Sequence, residues 1–404
     1  MGRQMVEITE GVSLYPKESA KKIKNSKNSL IIGLPAESAS HEKRVVLTPD
    51  AVGLLVNNGQ EVLVETNAGK ESKFTDQEYS DAGAKVVYSS KEAFDAEVVM
   101  KVEPPTGQEI DYMRSGACLI SAIQLGKQNA DFIHALNRKR ITAVSFEHLE
   151  DKVGGMPVVR AMSEIAGSTV MLIASEYLSS VNNGKGLIMG GVTGVPPTQV
   201  VIIGAGTVAE YAARTALGLG ASIKVFDNHI YKLRRIKHLL GQQIFTSTID
   251  NYTLSNALKE ADVVIGALRA EKGKTKIVVS EEMVAAMMQG SVLIDVGIDQ
   301  GGCIETSEMT THEQPTFVKH GVIHYCVPNI ASRVSRTASF ALSNIFTPIL
   351  LQMADLGGAE EMVFNYKWFM KGVYTYRGSL TNAYLARKFS MTHKELLLLL
   401  AARY

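Results

Sequence analysis

The chain has 404 residues, 46% hydrophobic and 21% charged, with a formal net charge of +1. That length exceeds one ordinary core and implies two domains. The balanced charge excludes the basic excess of a nucleic-acid-binding protein. Cys118, Cys303 and Cys326 are widely spaced and form no CxxC, which suits a reducing compartment. The opening MGRQMVEITE lacks a signal-peptide core, so the cytoplasm is the expected location. No apolar run is expected to cross a bilayer, which takes roughly 18 residues. Segment 339–356 carries Ser, Asn, Thr and Pro and reads as a buried helix. The nine histidines form no HxxxH spacing, so no metal site is expected.

In chain order, residues 1–28 form a polar, lysine-rich extension. SLIIGLPA (29–36) reads as a buried strand with a Gly-Leu-Pro stop. LTPDAVGLLVNNG (47–59) reads as a helix with Pro49 in its first turn and Gly59 after its end. EVLVET, KVVY, EVVMKV (97–102), ACLISAIQ (117–124) and ITAVSFE (141–147) read as strands alternating with short helices. The pattern predicts an α/β fold with parallel sheets. SEIAGSTVMLIASEYLSSV, up to Val181, reads as a long connecting helix, followed by a second βα series to about Val327. We expect a first domain from 1–160 plus 330–404 and an inserted second domain at 161–329. Both are expected to be Rossmann-like, joined by long helices, with a cleft between them.

The inserted domain opens with VVIIGAGTVAEYAARTALGLGASIKVFD. Gly204, Gly206 and Ala209 give G-x-G-x-x-A after a strand. The first glycine permits the tight turn, the second lets a pyrophosphate approach the backbone, and Ala209 is small enough for helix–strand packing. The following helix directs its N-terminal N–H groups at phosphate. Asp227 follows Gly206 by 21 residues. A carboxylate there accepts from ribose hydroxyls and repels a 2′-phosphate, which favours NAD over NADP. Lys101 and Asp299 each follow a strand of a parallel sheet, where ligands bind.

Several ordered stretches, among them IIGLPAES, EKRVVLTPDAV, VVMKVEPP, MSEIAG, LIMGGVTGVPPTQVVIIGAG, DQGGCIETS and HYCVPN, resemble the alanine dehydrogenase and nicotinamide nucleotide transhydrogenase family. The likeness covers about residues 30–385 and is closer to the dehydrogenases. It implies two Rossmann-like domains, NAD on the inserted one, and reversible oxidative deamination of L-alanine. It implies that Arg44 binds the substrate carboxylate, Lys101 binds substrate and Asp299 is catalytic. Met162 and Ser163 would lie near the cofactor, and Asn329 beside nicotinamide and substrate. It also implies a homo-oligomer, hexamer or dimer, with small-molecule substrates and no nucleic-acid or membrane partner.

Two positions depart from the family. Gln124 stands where the dehydrogenases carry a histidine, and an amide cannot exchange a proton as imidazole does. Lys101 or His148 would then take over proton transfer. Alternatively, the protein is a soluble NAD(H)-binding transhydrogenase-like subunit or an NAD(H) sensor without amino-acid turnover. Glu103 stands where the family usually has a second lysine. It either faces the cleft, favouring a substrate with a cationic end, or points to solvent.

Overall fold

The computed structural model describes residues 29–39, 41–124, 128–269 and 275–402. The N-terminal extension lies outside them, as do Leu125 and Gly126 next to Gln124.

The first sheet has eight strands. They are β1 (Ile31–Leu34), β2 (Glu61–Glu65), β3 (Lys85–Val87), β4 (Val98–Met100), β5 (Cys118–Ser121), β6 (Thr142–Ser145), β14 (Val373–Tyr376) and β15 (Ser379–Leu380), in the order β15-β14-β6-β5-β4-β1-β2-β3. The second has seven: β7 (Gln199–Ile203), β8 (Ser222–Phe226), β9 (Phe245–Ser247), β10 (Val263–Gly266), β11 (Val292–Asp295), β12 (Thr316–Lys319) and β13 (Val322–Tyr325), in the order β12-β13-β11-β10-β7-β8-β9. β1–β6 pair in parallel, as do β7–β11 and β13. β14, β15 and β12 run antiparallel at the edges. The chain therefore returns to the first sheet after completing the second.

The strand order reverses between β1 and β4 in one sheet and between β7 and β10 in the other. At such a switch point the two connections leave in opposite directions and open a crevice beyond the strand ends. Glu37 and Lys101 follow β1 and β4. The glycine turn and Ala267 follow β7 and β10.

The long connecting helix spans Pro157–Leu178, starting one turn earlier than its apolar pattern suggested because Pro157 occupies its first turn. A second long helix spans Ser335–Leu356. By length and hydropathy alone, Pro157–Leu178 and Ile330–Leu356 would suffice to cross a membrane. This corrects the reading that no run approaches that length. Both are instead built into the cores. Val170, Met171, Ile173 and Ala174 pack against the second sheet, and Leu342, Phe346 and Leu350 against the first. Ser339 and Ser343 of the second helix accept from Val45 N (2.9 Å) and Thr48 N (2.7 Å). These bonds fasten the segment that leads out of the Arg44 loop.

Candidate active site

Lys101 continues the β4 ladder: its N–H donates to Ile120 O at 3.1 Å, and Ala122 N donates to Val102 O at 3.0 Å. Its side chain is fully buried. The ammonium meets Glu37 Oε2 at 3.1 Å, Ser38 Oγ at 3.4 Å and Glu109 Oε1 at 3.8 Å. Glu37 is held from the other side as well. Its Oε1 accepts from Val102 N at 2.6 Å and its Oε2 from Glu103 N at 3.2 Å. Burial pushes the Glu37 carboxyl up to about 7, against the opposing Lys101 charge and with help from Glu42.

Arg44 is clamped by Glu42, with Nε on Oε1 at 2.7 Å and Nη2 on Oε2 at 2.6 Å. Two parallel bonds use the guanidinium fork fully on that edge. Nη1 lies 3.3 Å from Met162 Sδ on the connecting helix. Asn329 Nδ2 donates to Glu42 Oε2 at 2.9 Å, and Ser332 Oγ accepts from Lys43 N and donates to His41 O. Burial works to raise the Glu42 carboxyl, but Arg44 and Asn329 hold it below the usual carboxylate range. The Glu42 pair, reinforced by the Glu103 and Glu37 charges, outweighs burial and raises Arg44 above its ordinary value. Asn329 adopts a left-handed backbone, φ 58°, which asparagine tolerates better than most residues.

Four predicted residues thus meet: Arg44, Met162 and Asn329 share a network through Glu42, and Lys101 lies beside it through Glu37. Ser163 is half-buried on the same helix as Met162. Asp299 is exposed on the 3-10 turn Ile298–Gln300 beyond β11. Gln124 lies three residues beyond β5 with φ 47°, a left-handed conformation uncommon for glutamine. Its neighbour Ile123 N donates to Glu147 Oε2 at 2.9 Å. His148, the histidine expected to stand in, is found on the turn after β6. It is exposed, and its Nδ1 turns back to Ser145 Oγ at 2.8 Å, because the 3-10 turn Phe146–His148 folds it onto its own strand.

Sequence reasoning passed over Glu37 and Glu42 although both lie in quoted motifs. The rule that selected Lys101, a charge just past a buried parallel strand, also selects Glu37. Glu103 does not point to solvent: its side chain is buried, 3.5 Å from His41 Nε2, and its charge acts on Arg44.

On the second sheet, Gly204 has φ 113°, and a Cβ there would sit 2.6 Å from Ala267 O. A Cβ on Gly206 would meet no atom within 4 Å, so space remains open above the turn, as a pyrophosphate requires. Ala209 is fully buried in the helix Thr207–Gly218. Asp227 is buried at the end of β8. It accepts from Ala205 N at 2.8 Å and from His229 N at 2.8 Å, which ties the glycine turn to the acid. These residues fit a dinucleotide.

Residues 33–166 match the alanine dehydrogenase/PNT N-terminal domain and residues 170–383 the alanine dehydrogenase/PNT C-terminal domain. The chain belongs to the alanine dehydrogenase/PNT family. Alanine dehydrogenase of Bacillus subtilis (strain 168) is 39% identical over 359 residues, covering 89% of this chain and 94% of that protein. A solved L-alanine dehydrogenase superposes with TM-score 0.84 at 35% identity, covering 89% of this chain and 98% of the other. A transhydrogenase from Sinorhizobium meliloti gives TM-score 0.74 at 26% identity, covering 88% and 99%. Gln124 and Glu103 both lie just beyond neighbouring parallel strands of the first sheet, three residues after β5 and β4 respectively.

Proposed function

We propose that this protein catalyses the reversible, NAD-dependent oxidative deamination of L-alanine to pyruvate and ammonia. The observation that carries this reading is the pair of buried cations, Arg44 and Lys101, at the switch point of the first sheet. The Arg44 network reaches the connecting helix and the turn that follows the second sheet, so substrate and nucleotide ends adjoin. Arg44 binds the substrate carboxylate, Lys101 addresses the carbon-bound nitrogen or oxygen, and Asn329 and Met162 line the nicotinamide side. Asp299, on the turn beyond β11, acts on the same cleft. NAD supplies the hydride acceptor, and Asp227 selects it over NADP. Gly204, Gly206 and Ala209 cradle the pyrophosphate, and Ser163 lies beside the cofactor. Helix faces around 163–181 and 333–355 supply the oligomer contacts.

The test runs the reaction backwards. Purified protein should oxidise NADH when pyruvate and ammonium are both present and stop when either is omitted. Gln124 favours a second reading, NAD(H) binding without amino-acid turnover. NADH binding with no oxidation by any 2-oxo acid and ammonium would select it.

Glu103 yields a separate expectation. A carboxylate held in the cleft repels an anionic side chain, and like-charge juxtaposition costs on the order of 2 kcal/mol or more. L-aspartate and L-glutamate should therefore have kcat/KM at least ~30-fold below L-alanine, and Glu103→Gln should narrow that gap. Equal gaps in the two proteins would show that Glu103 does not select the side chain.

A further inference from the structure

The charges around Lys101 do not balance. Among the described residues, Glu37, Glu42, Glu103 and Glu109 lie with two lasting cations, Arg44 and Lys101, and none of these six side chains is more than 10% exposed. His41 stands at the mouth, half-open to solvent. Clustered carboxylates in a dry site cannot all remain ionised cheaply, and one of them takes up a proton. Glu42 is not that one, since its clamp on Arg44 keeps it ionised. Glu37 is placed for it. It shares an oxygen with the Lys101 ammonium at 3.1 Å, and burial moves its titration to about 7.

We propose that Glu37 is a positioning residue that shares a proton with Lys101, and that this pair performs the proton transfer that Gln124 cannot. The proposal rests on the deamination reading above. Above the Glu37 titration near 7, the resting pair holds Lys101 as an ammonium and Glu37 as a carboxylate. Lys101 passes one proton to Glu37 and becomes an amine with a free electron pair. When water adds to the iminium carbon, a C–O bond forms and the C=N π electrons return to nitrogen. The proton lost by the water goes to Lys101, leaving a neutral carbinolamine. Lys101 then returns a proton to the carbinolamine nitrogen and retrieves one from its hydroxyl. The C–N bond breaks, and ammonia and the 2-oxo acid leave. Glu37 finally releases its extra proton to solvent.

The groups facing Glu37 come from three elements. His41, Glu42, Arg44 and Ser38 share its loop, Lys101 and Glu103 follow β4, and Glu109 lies on the helix Gly107–Tyr112. The sign follows from the proton count. Deamination needs the pair with one proton, so kcat for L-alanine rises as pH rises through about 7. Reductive amination needs it with two, so that rate falls through the same window.

The test has two parts. Glu37→Gln should lower kcat on the order of 100-fold and abolish the limb near neutral pH, leaving the KM for L-alanine within a few-fold. An unchanged profile in a folded Glu37→Gln protein would overturn the proposal. Infrared difference titration of the wild type reads the proton without turnover. A carboxylic C=O band should disappear as pH rises through neutrality, shift in Glu37→Asp and be missing in Glu37→Gln. No carboxyl titrating near neutrality would also overturn it. If the wild type turns over no amino acid, the deamination reading fails, while the infrared band still decides where the proton sits.

Discussion

Gly204→Ala should unfold the second domain at a much lower temperature, whereas Gly206→Val should leave stability nearly intact and abolish NADH binding. The two glycines lie two residues apart but answer to different constraints. Gly204 holds φ 113° with its would-be Cβ against the backbone of Ala267, which follows the neighbouring central strand. Neither backbone can move without breaking the β7–β10 ladder. Strained φ and the clash together cost about 3 kcal/mol or more, which lowers Tm by roughly 6–12 °C for a domain of about 150–250 residues. Gly206 has an ordinary backbone and open space beside it, and it caps the helix Thr207–Gly218. Valine there costs about 1 kcal/mol as a poorer cap but fills the approach to the turn. NADH should bind at least ~100-fold more weakly, a loss of about 2.7 kcal/mol. Calorimetric melting and NADH fluorescence titration measure the two effects separately. Undiminished NADH binding by Gly206→Val would remove the nucleotide from this turn.

Arg44→Ala should cost both stability and substrate binding, and the stability loss should grow with pH. Removing one partner of a buried pair leaves the other charge uncompensated, at about 3–5 kcal/mol. In the wild type, Glu42 is depressed by its clamp, so its contribution is present above the unfolded carboxylate range and is lost as pH falls through the folded value. Without Arg44, burial is opposed mainly by the Asn329 hydrogen bond, and Glu42 is expected to rise. The variant then loses stability as pH climbs above the unfolded carboxylate range. The gap from wild type should therefore widen as pH rises above the unfolded carboxylate range. Adding Glu42→Gln should restore most of the stability and none of the activity, because the substrate carboxylate still lacks its guanidinium. Denaturant unfolding at several pH values, alongside kcat/KM for L-alanine, would check both statements. Full recovery of activity in the double variant would mean that Arg44 serves only the fold.

Much of this architecture was legible from residue order. Parallel α/β alternation, the glycine turn and its acid, and the place of Lys101 just beyond β4 all follow from local rules of spacing and strand ends. The centre of the site was less legible because burial decides it. Glu37 and Glu42 were passed over in the sequence, and their burial shows only once the switch point brings β4 beside β1 and Glu37 meets Lys101. The Arg44 clamp likewise needs Asn329, from a segment 287 positions away in sequence. The orientation of His148 was not legible, because its strand ends in a 3-10 turn that folds the ring back onto Ser145. A period-2 pattern carries no sign of such a turn.

The most direct test of the central claim is NADH formation from NAD by the purified protein, with L-alanine and with a panel of other L-amino acids at alkaline pH. The structure predicts alanine-dependent NADH formation, with NAD strongly preferred over NADP because of Asp227. NADH that binds tightly while no amino acid reduces NAD would contradict the account and leave a nucleotide-binding protein without deamination.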